Sequence, residues 1–266
     1  MRRTGALLAA SAITILAIVA WDGSTSAQTP GRRPPAPTDW AALAKLPDFT
    51  GVWEISMGGG GGARGGGRGR GAPQGPSLTP EAAARRKQLQ SRGREDSQTA
   101  NCVPPGMPGI MGQPYPMEFL LTPGQVTIVI EAYMQVRHIY TDGRALPDDP
   151  DLTFHGTSVG HWEGDALVVD TIGFSPLTEL AGNVPHSGKM RIRERFTLTD
   201  PDTMSIETTI TDPDVLTAPY TSTRVLRRHR SWTIAEYVCQ ENNRNFVDDK
   251  GKAGVILGNP SGTPAK

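Results

Sequence analysis

The stretch Thr157–Thr171, TSVGHWEGDALVVDT, contains the clearest folding signal in the chain. Two runs rich in β-branched and aromatic residues flank Glu163-Gly164-Asp165, and a glycine-containing turn between two such runs is typical of an antiparallel hairpin. Similar runs separated by short polar turns continue through most of the chain after it. The sequence therefore predicts an all-β fold, an antiparallel up-and-down barrel of about 8–10 strands with short N-terminal helices.

The candidate strands are defined by alternation and by the turns that flank them. The first contains Trp53. The others are Met117–Leu121, Gln125–Glu131, Gln135–Thr141, Thr157–Trp162, Ala166–Thr171, Lys189–Thr199, Thr203–Thr211, Thr221–Arg230 and Trp232–Cys239.

Composition limits how much of the chain can form this barrel. The 31 glycines and 23 prolines among 266 residues are concentrated before residue 117 and in the C-terminal tail, so the folded part is much shorter than the chain. The formal net charge is zero, which gives no reason to expect a nucleic-acid partner. We expect a linker and short helix at 28–48, one barrel domain at 49–245 with a Gly-rich disordered insertion at 58–76 and a helix at 79–95, and a tail at 246–266.

The N-terminus has the pattern of an export signal. Arg2 and Arg3 precede an almost wholly apolar run at 7–20, and small residues end at Ala27, where cleavage is expected. The alternative, an uncleaved anchor, needs an apolar run of roughly 20 residues, which Trp21-Asp22 interrupts. The sequence therefore predicts a signal peptide at 1–27 and a periplasmic or secreted protein, with no stable membrane insertion after cleavage.

The two cysteines, Cys102 and Cys239, are interpreted from that compartment. In an oxidising space an isolated pair is most simply one disulfide. A zinc site is the alternative, but the pair lacks a CxxC spacing, and HExxH is absent from the sequence. We expect no metal and no cofactor. The turn-rich segment 101–116 would then be an ordered loop, pinned by Cys102 and lying over one mouth of the barrel.

Two resemblances support the barrel. Gly51-Val52-Trp53, preceded by a short helical turn, resembles the GxW motif of lipocalin-like (calycin) β-barrels, in which the tryptophan closes one end. SVGHWEGDALVVDT, RIRERF and EYVCQENN resemble a family of exported bacterial β-rich proteins of unassigned function, over Phe49–Asn245. These resemblances imply a fold and a compartment, and carry over no catalytic residues.

Strand alternation places four ionisable groups on faces that otherwise look inward: Glu194, Glu236, His138 and Arg227. An unpaired carboxylate in an apolar interior costs several kcal/mol, so the glutamates need cations or hydrogen bonds. Either they pair with Arg227 or His138 inside a filled barrel, or they form a polar cluster at the bottom of a ligand cavity. A one-residue shift in register would move all four groups to solvent.

Two histidines, His155 and His186, lie in segments that precede strands. If these loops share one barrel mouth, the two rings could meet, and a loop histidine can reach a cavity and titrate near neutral pH. The alternative is a surface or turn-stabilising role. A GxSxG motif is absent from the sequence, so an acyl-enzyme nucleophile has no support. The catalytic candidates are therefore His155 and His186, with Glu194 or Glu236 as a general acid or base of raised pKa.

Two function hypotheses follow, and the fold alone does not separate them. The first is an exported barrel that binds a small apolar or aromatic molecule in an internal cavity. The second is a cofactor-independent lyase, isomerase or hydrolase on the same barrel; a filled barrel would instead support a structural role. The expected ligand-binding residues are His138, Tyr140, Trp162, Phe196, Arg227 and Trp232.

Overall fold

The computed structural model describes residues 34–56, 75–91 and 101–239, and the backbone of 245–247 and 253–255. Apart from Pro34, these residues belong to one compact unit, Pro35–Lys266. The predicted signal peptide, most of the Gly-rich insertion and most of the tail lie outside the described residues. No helix in the described part of the chain is long and apolar enough to cross a membrane.

The described strands, in chain order, dominate the structure. They are β1 (Gly51–Ile55), β2 (Met117–Thr122), β3 (Gln125–Ile130), β4 (Gln135–Tyr140), β5 (Thr157–Glu163), β6 (Ala166–Ile172), β7 (Glu179–Ala181), β8 (Val184–Pro185), β9 (Arg191–Asp200), β10 (Thr203–Thr211), β11 (Tyr220–His229), β12 (Asn245–Val247) and β13 (Ala253–Val255). Nine of them close a barrel in the order β1-β11-β10-β9-β6-β5-β4-β3-β2. The pairs β7–β8 and β12–β13 form separate two-stranded sheets.

The predicted all-β barrel is confirmed, except that one pair of neighbouring strands is parallel rather than antiparallel. Neighbouring barrel strands are antiparallel except β4 and β5, which run parallel through Ile139–Ser158 and Tyr140–Val159. The predicted central hairpin is β5–β6, with Glu163 opposite Ala166 and Gly164 at the turn. Gly164 has φ 59°, a left-handed conformation that glycine adopts without steric cost.

The prediction of a strand at Trp232–Cys239 is wrong. This segment is irregular, and β11 pairs directly with β1 and β10. β1 in turn pairs with β2, so the barrel closes. A closed barrel offers no free strand edge for a further strand.

Two α-helices precede most of the barrel, α1 (Pro37–Leu43) and α2 (Pro80–Gln90). Asp39 lies inside the first turn of α1, and its carboxylate accepts from Ala36 N at 2.8 Å. Thr79 caps α2, accepting from Ala82 N at 3.3 Å. α2 ends at Gln90, short of the predicted bound at 95.

One end of the barrel is closed by Trp53. Its ring is fully buried, and its Nε1 donates to the Phe49 carbonyl at 3.0 Å. The Arg228 guanidinium lies over the same ring at 4.5 Å and binds the Asp48 carboxylate at 2.8 Å. This arrangement is consistent with the calycin-like fold that the GxW motif implied.

The opposite end is covered by residues 101–116, which we call the mouth loop. Met107, Ile110 and Met111 of this loop are buried in the hydrophobic core. The predicted disulfide is present: Cys102 and Cys239 are bonded, with their Cα atoms 5.7 Å apart. The mouth loop is therefore tied at its first residues and fills the barrel end with apolar side chains.

Candidate functional site

The barrel interior near the mouth loop contains a buried ion pair. Arg137 on β4 and Glu194 on β9 are each 1% exposed. Their contacts are bidentate, with Nη1 to Oε1 at 3.2 Å and Nη2 to Oε2 at 2.5 Å. Glu194 therefore faces inward as predicted, but its partner is Arg137 rather than His138 or Arg227.

Two hydroxyl groups complete the surroundings of Arg137. Its Nη2 donates to Ser158 Oγ at 3.2 Å and to Thr171 Oγ1 at 3.1 Å. The two hydroxyls lie 2.9 Å apart. A buried ion pair needs such additional hydrogen bonds to offset its desolvation, and Arg137 has them. The two charges of the pair therefore cancel, and the hydrogen-bond donors of Arg137 have acceptors.

A second inward arginine, Arg224, has no such partners. It faces the same interior from β11, opposite Ile206 on β10. The mouth loop closes directly over it: a Cβ atom added to Gly112 would lie 3.2 Å from Arg224 Nη2. Burial lowers the pKa of Arg224, and the Glu194 carboxylate only partly opposes this. Within the described part of the chain, Arg224 has no hydrogen-bond or ion-pair partner.

Two buried polar atoms near this cluster also lack hydrogen bonds. Thr208 is 2% exposed and lies opposite Glu194 in the β9–β10 register, and its Oγ1 has no partner. The other atom is Nδ1 of His155. Leaving a buried polar atom without a hydrogen bond costs about 1–3 kcal/mol of stability, so such atoms are uncommon and need an explanation. The interior cluster therefore has unused hydrogen-bonding capacity.

His155 is held neutral at the edge of this cluster. Its Nε2 lies 3.0 Å from Gln135 Oε1, and since an amide oxygen accepts, Nε2 carries the proton. Burial, assisted by the charge of Arg137, lowers the pKa of His155 to about 4. At neutral pH its Nδ1 is an acceptor, and it has no hydrogen-bond donor among the residues that the structure describes.

His186 bonds to a different set of groups. Its Nε2 lies 2.9 Å from both the Ser175 carbonyl and Thr178 Oγ1, and its ring packs edge-on against Phe174. His155 instead bonds Gln135. The structure does not place the two rings in one hydrogen-bonded unit.

His138 and Tyr140 lie outside the barrel, because the inward residues of β4 are Arg137 and Ile139. The alternation predicted for this strand was therefore one residue out of register. His138 is exposed, with its Nδ1 3.0 Å from Gln125 Nε2. Tyr140 carries the Arg144 guanidinium over its ring at 3.9 Å.

The predicted inward positions of Glu236, Trp232 and Arg227 are also wrong. Glu236 and Trp232 are exposed on the irregular segment after β11, where Trp232 stacks on the His229 ring at 3.6 Å. Arg227 is exposed on the outer face of β11 and donates to Thr203 Oγ1. Arg224 and Arg228 are the inward arginines of this strand, and the sequence reasoning missed both.

Phe196 and Trp162 are the predicted ligand-binding residues that lie inside. Phe196 is fully buried, with its ring 6.2 Å from Phe119. Trp162 is half-buried, and its ring lies 5.2 Å from Phe49, near the end closed by Trp53. Both therefore pack in or against the core.

Comparisons with known proteins do not assign this chain to a family. No protein-family model and no curated protein sequence matches it. Among solved structures it is similar to a mutant of the fluorescent protein UnaG, at 13% sequence identity and a TM-score of 0.31, covering 68% of this chain and 96% of that one. The fold itself, set by the strand pairing, is a closed nine-stranded β-barrel.

Proposed function

We propose that this protein is a small-molecule-binding barrel. Its ligand has an apolar or aromatic body and an anionic group, and binds under the mouth loop with the anion on Arg224. The observation that carries the proposal is the Arg224 guanidinium, which lies beneath Gly112 without an anionic partner among the described residues. A planar guanidinium binds a carboxylate through two parallel hydrogen bonds.

The charges around Arg224 support an anionic ligand. Arg137 and Glu194 neutralise each other through their bidentate contact. His155, whose pKa is about 4, adds no charge at neutral pH. This leaves one positive charge, that of Arg224, which a carboxylate would neutralise in a partly desolvated site.

The mouth loop supplies the apolar part of the site. Met107 and Met111 of this loop are buried in the hydrophobic core, and methionine side chains repack easily because they are unbranched and flexible. The loop lies outside the barrel ladder, so moving it breaks no strand pairing. We propose that a ligand displaces these methionines.

Methionine methyl NMR with decanoate and its neutral analogue 1-decanol tests this proposal. We expect decanoate to shift the Met107 and Met111 resonances, and Arg224→Met to weaken decanoate binding about ten-fold, the value of one charge-assisted hydrogen bond, with little effect on 1-decanol. Arg227→Met, an exposed change on the same strand, is the matched control. If decanoate and similar carboxylates leave both resonances unmoved, or bind Arg224→Met equally well, the proposal fails.

We also propose that the mature protein acts in the periplasm or outside the cell. The Cys102–Cys239 bond supports this, since disulfides persist in oxidising compartments. Cell fractionation with mass determination of the N-terminus is the test. We expect the mature chain to begin at Gln28, and a full-length chain in the cytoplasm would contradict it.

The second candidate function is cofactor-independent catalysis, and His155 is the observation that favours it. Its neutral ring has a free Nδ1 acceptor beside the buried cluster, as a general base requires. Recovery of an added carboxylate chemically changed by the wild type, but unchanged by His155→Gln, would favour this candidate over simple binding.

A further inference from the structure

The outer surface of the barrel carries a groove that is separate from the interior cluster. It consists of two adjoining depressions, with volumes of about 420 Å³ and 500 Å³, along the outer faces of β6, β9 and β10. The two depressions share Ile172, Arg191 and Thr211. These volumes are in the range that holds small ligands.

One wall of this outer groove is fixed in place. Leu146 and Pro150, from the connection between β4 and β5, form this wall. Gly173 lies so close beneath it that an added Cβ atom would meet Pro150 Cβ at 2.7 Å, and its φ of 78° favours glycine. Thr153 N also donates to the Gly173 carbonyl at 3.1 Å. The wall is therefore preformed, so a ligand need not order it.

The cations around the outer groove differ in their partners. Arg193 binds Asp170 through two hydrogen bonds, at 2.8 and 2.9 Å. Lys189 binds the Asp214 carboxylate at 2.9 Å. Arg191, which both depressions share, has no carboxylate partner within the described part of the chain. Among the described residues, the groove thus offers one guanidinium without a carboxylate partner, beside the apolar side chains of Leu146, Pro150 and Ile172.

We infer that the outer groove is a second ligand site, for a small organic anion with an apolar body. The anion binds the Arg191 guanidinium, and the hydroxyl of Thr211, opposite Arg191 in the β9–β10 register, lines the same part of the groove. The apolar body packs against Leu146, Pro150 and Ile172. This site goes beyond the proposed interior function and does not depend on it.

Methyl NMR with 2-naphthoate and its neutral analogue 2-naphthamide tests the outer groove. We expect 2-naphthoate to shift the Leu146 and Ile172 methyl resonances in a saturable way. The amide should bind about ten-fold more weakly, because it loses the charge-assisted hydrogen bond. Arg191→Met should weaken 2-naphthoate binding by a similar factor and leave the amide unchanged.

Two control variants separate this site from the interior one. Arg227→Met removes an exposed arginine from the outer face of another strand and should leave the Leu146 and Ile172 shifts unchanged. Arg224→Met should also leave them unchanged, while it alters the Met107 and Met111 response. Absence of any Leu146 or Ile172 shift, or equal affinity in Arg191→Met, would overturn the inference.

Discussion

Arg224 and Arg228 lie on the same strand and the same face of the barrel, yet they have opposite surroundings. Arg228 is only 4% exposed, binds Asp48 and lies over the Trp53 ring. Arg224 lies at the other end, beneath Gly112, and has no ion-pair partner among the described residues, although the Glu194 carboxylate lies near enough to act on it. A structural cation in a protein interior is neutralised by its own chain, whereas a cation left without a partner suggests a partner from outside.

The largest effect is expected from breaking the neutralised pair next to Arg224. Arg137→Met leaves Glu194 buried without its partner and should lower the free energy of unfolding by about 3–5 kcal/mol. Urea denaturation measures this. The double variant Arg137→Met/Glu194→Leu should recover most of the loss, because the isolated carboxylate is gone. A single variant as stable as the wild type would mean that Arg224 can replace Arg137 as the partner of Glu194.

The next largest effect is a loss of free energy of unfolding in mild acid, which we attribute to His155. The pKa of His155 is about 4 in the folded protein, against about 6.5 for an unperturbed histidine. Because the unfolded chain binds the proton first, this contribution is complete above pH 6.5 and is lost as the pH falls towards 4. The loss between pH 7.5 and 4.5 should be about 2–3 kcal/mol.

Urea denaturation at several pH values, in wild type and His155→Gln, measures this contribution. The variant should lose the His155 part of the pH dependence in that window, and its remaining slope would come from other groups. His161→Gln changes an exposed histidine and is the matched control. If His155→Gln has the wild-type pH dependence, His155 is not desolvated as the structure describes.

The contrast between the two arginines can be tested directly by replacing each of them with methionine. Arg228→Met removes the contacts with Asp48 and Trp53 and should cost about 1–3 kcal/mol of stability. Arg224→Met removes a partly buried cation that has no hydrogen-bond or ion-pair partner among the described residues, so stability should stay the same or rise. Thermal and urea denaturation of both variants check this. Equal destabilisation would show that Arg224 has a structural partner of its own.

The sequence predicted most of the fold because its strands alternate and its turns are chemically distinct. The β5–β6 hairpin and the Cys102–Cys239 disulfide were predicted correctly. Trp232–Cys239 was wrongly predicted as a strand because local alternation does not reveal that β1 already pairs with β11 and β2. Closure of a barrel is a long-range property that no single segment encodes.

The interior cluster was only partly predictable. Glu194 shares a face with Ile192 and Phe196, so its strand has a clear inward side. On β4 the apolar residues Val136 and Ile139 fall on opposite faces, and the choice of Val136 placed His138 inside instead of Arg137. On β11, Leu226 is buried and marks the face that carries Arg224, whereas Val225 led to Arg227. An apolar residue on each face leaves the inward side undecided until the neighbouring strands are known.

The prediction with the smallest expected effect concerns whether the mouth loop packs on Arg224. Gly112→Ala places a Cβ atom 3.2 Å from Arg224 Nη2, and because the flexible guanidinium can move aside, the cost should be about 1 kcal/mol, the low end for an overpacked site. In the Arg224→Met background this cost should change, because the contacting group is gone. A double-mutant cycle in urea measures the coupling, with Arg227→Met as the background that should leave the cost unchanged. Additive Gly112 and Arg224 changes would mean that the loop is not closed over Arg224, and the contrast with Arg228 would then reflect solvent at the open end rather than a site for an anion.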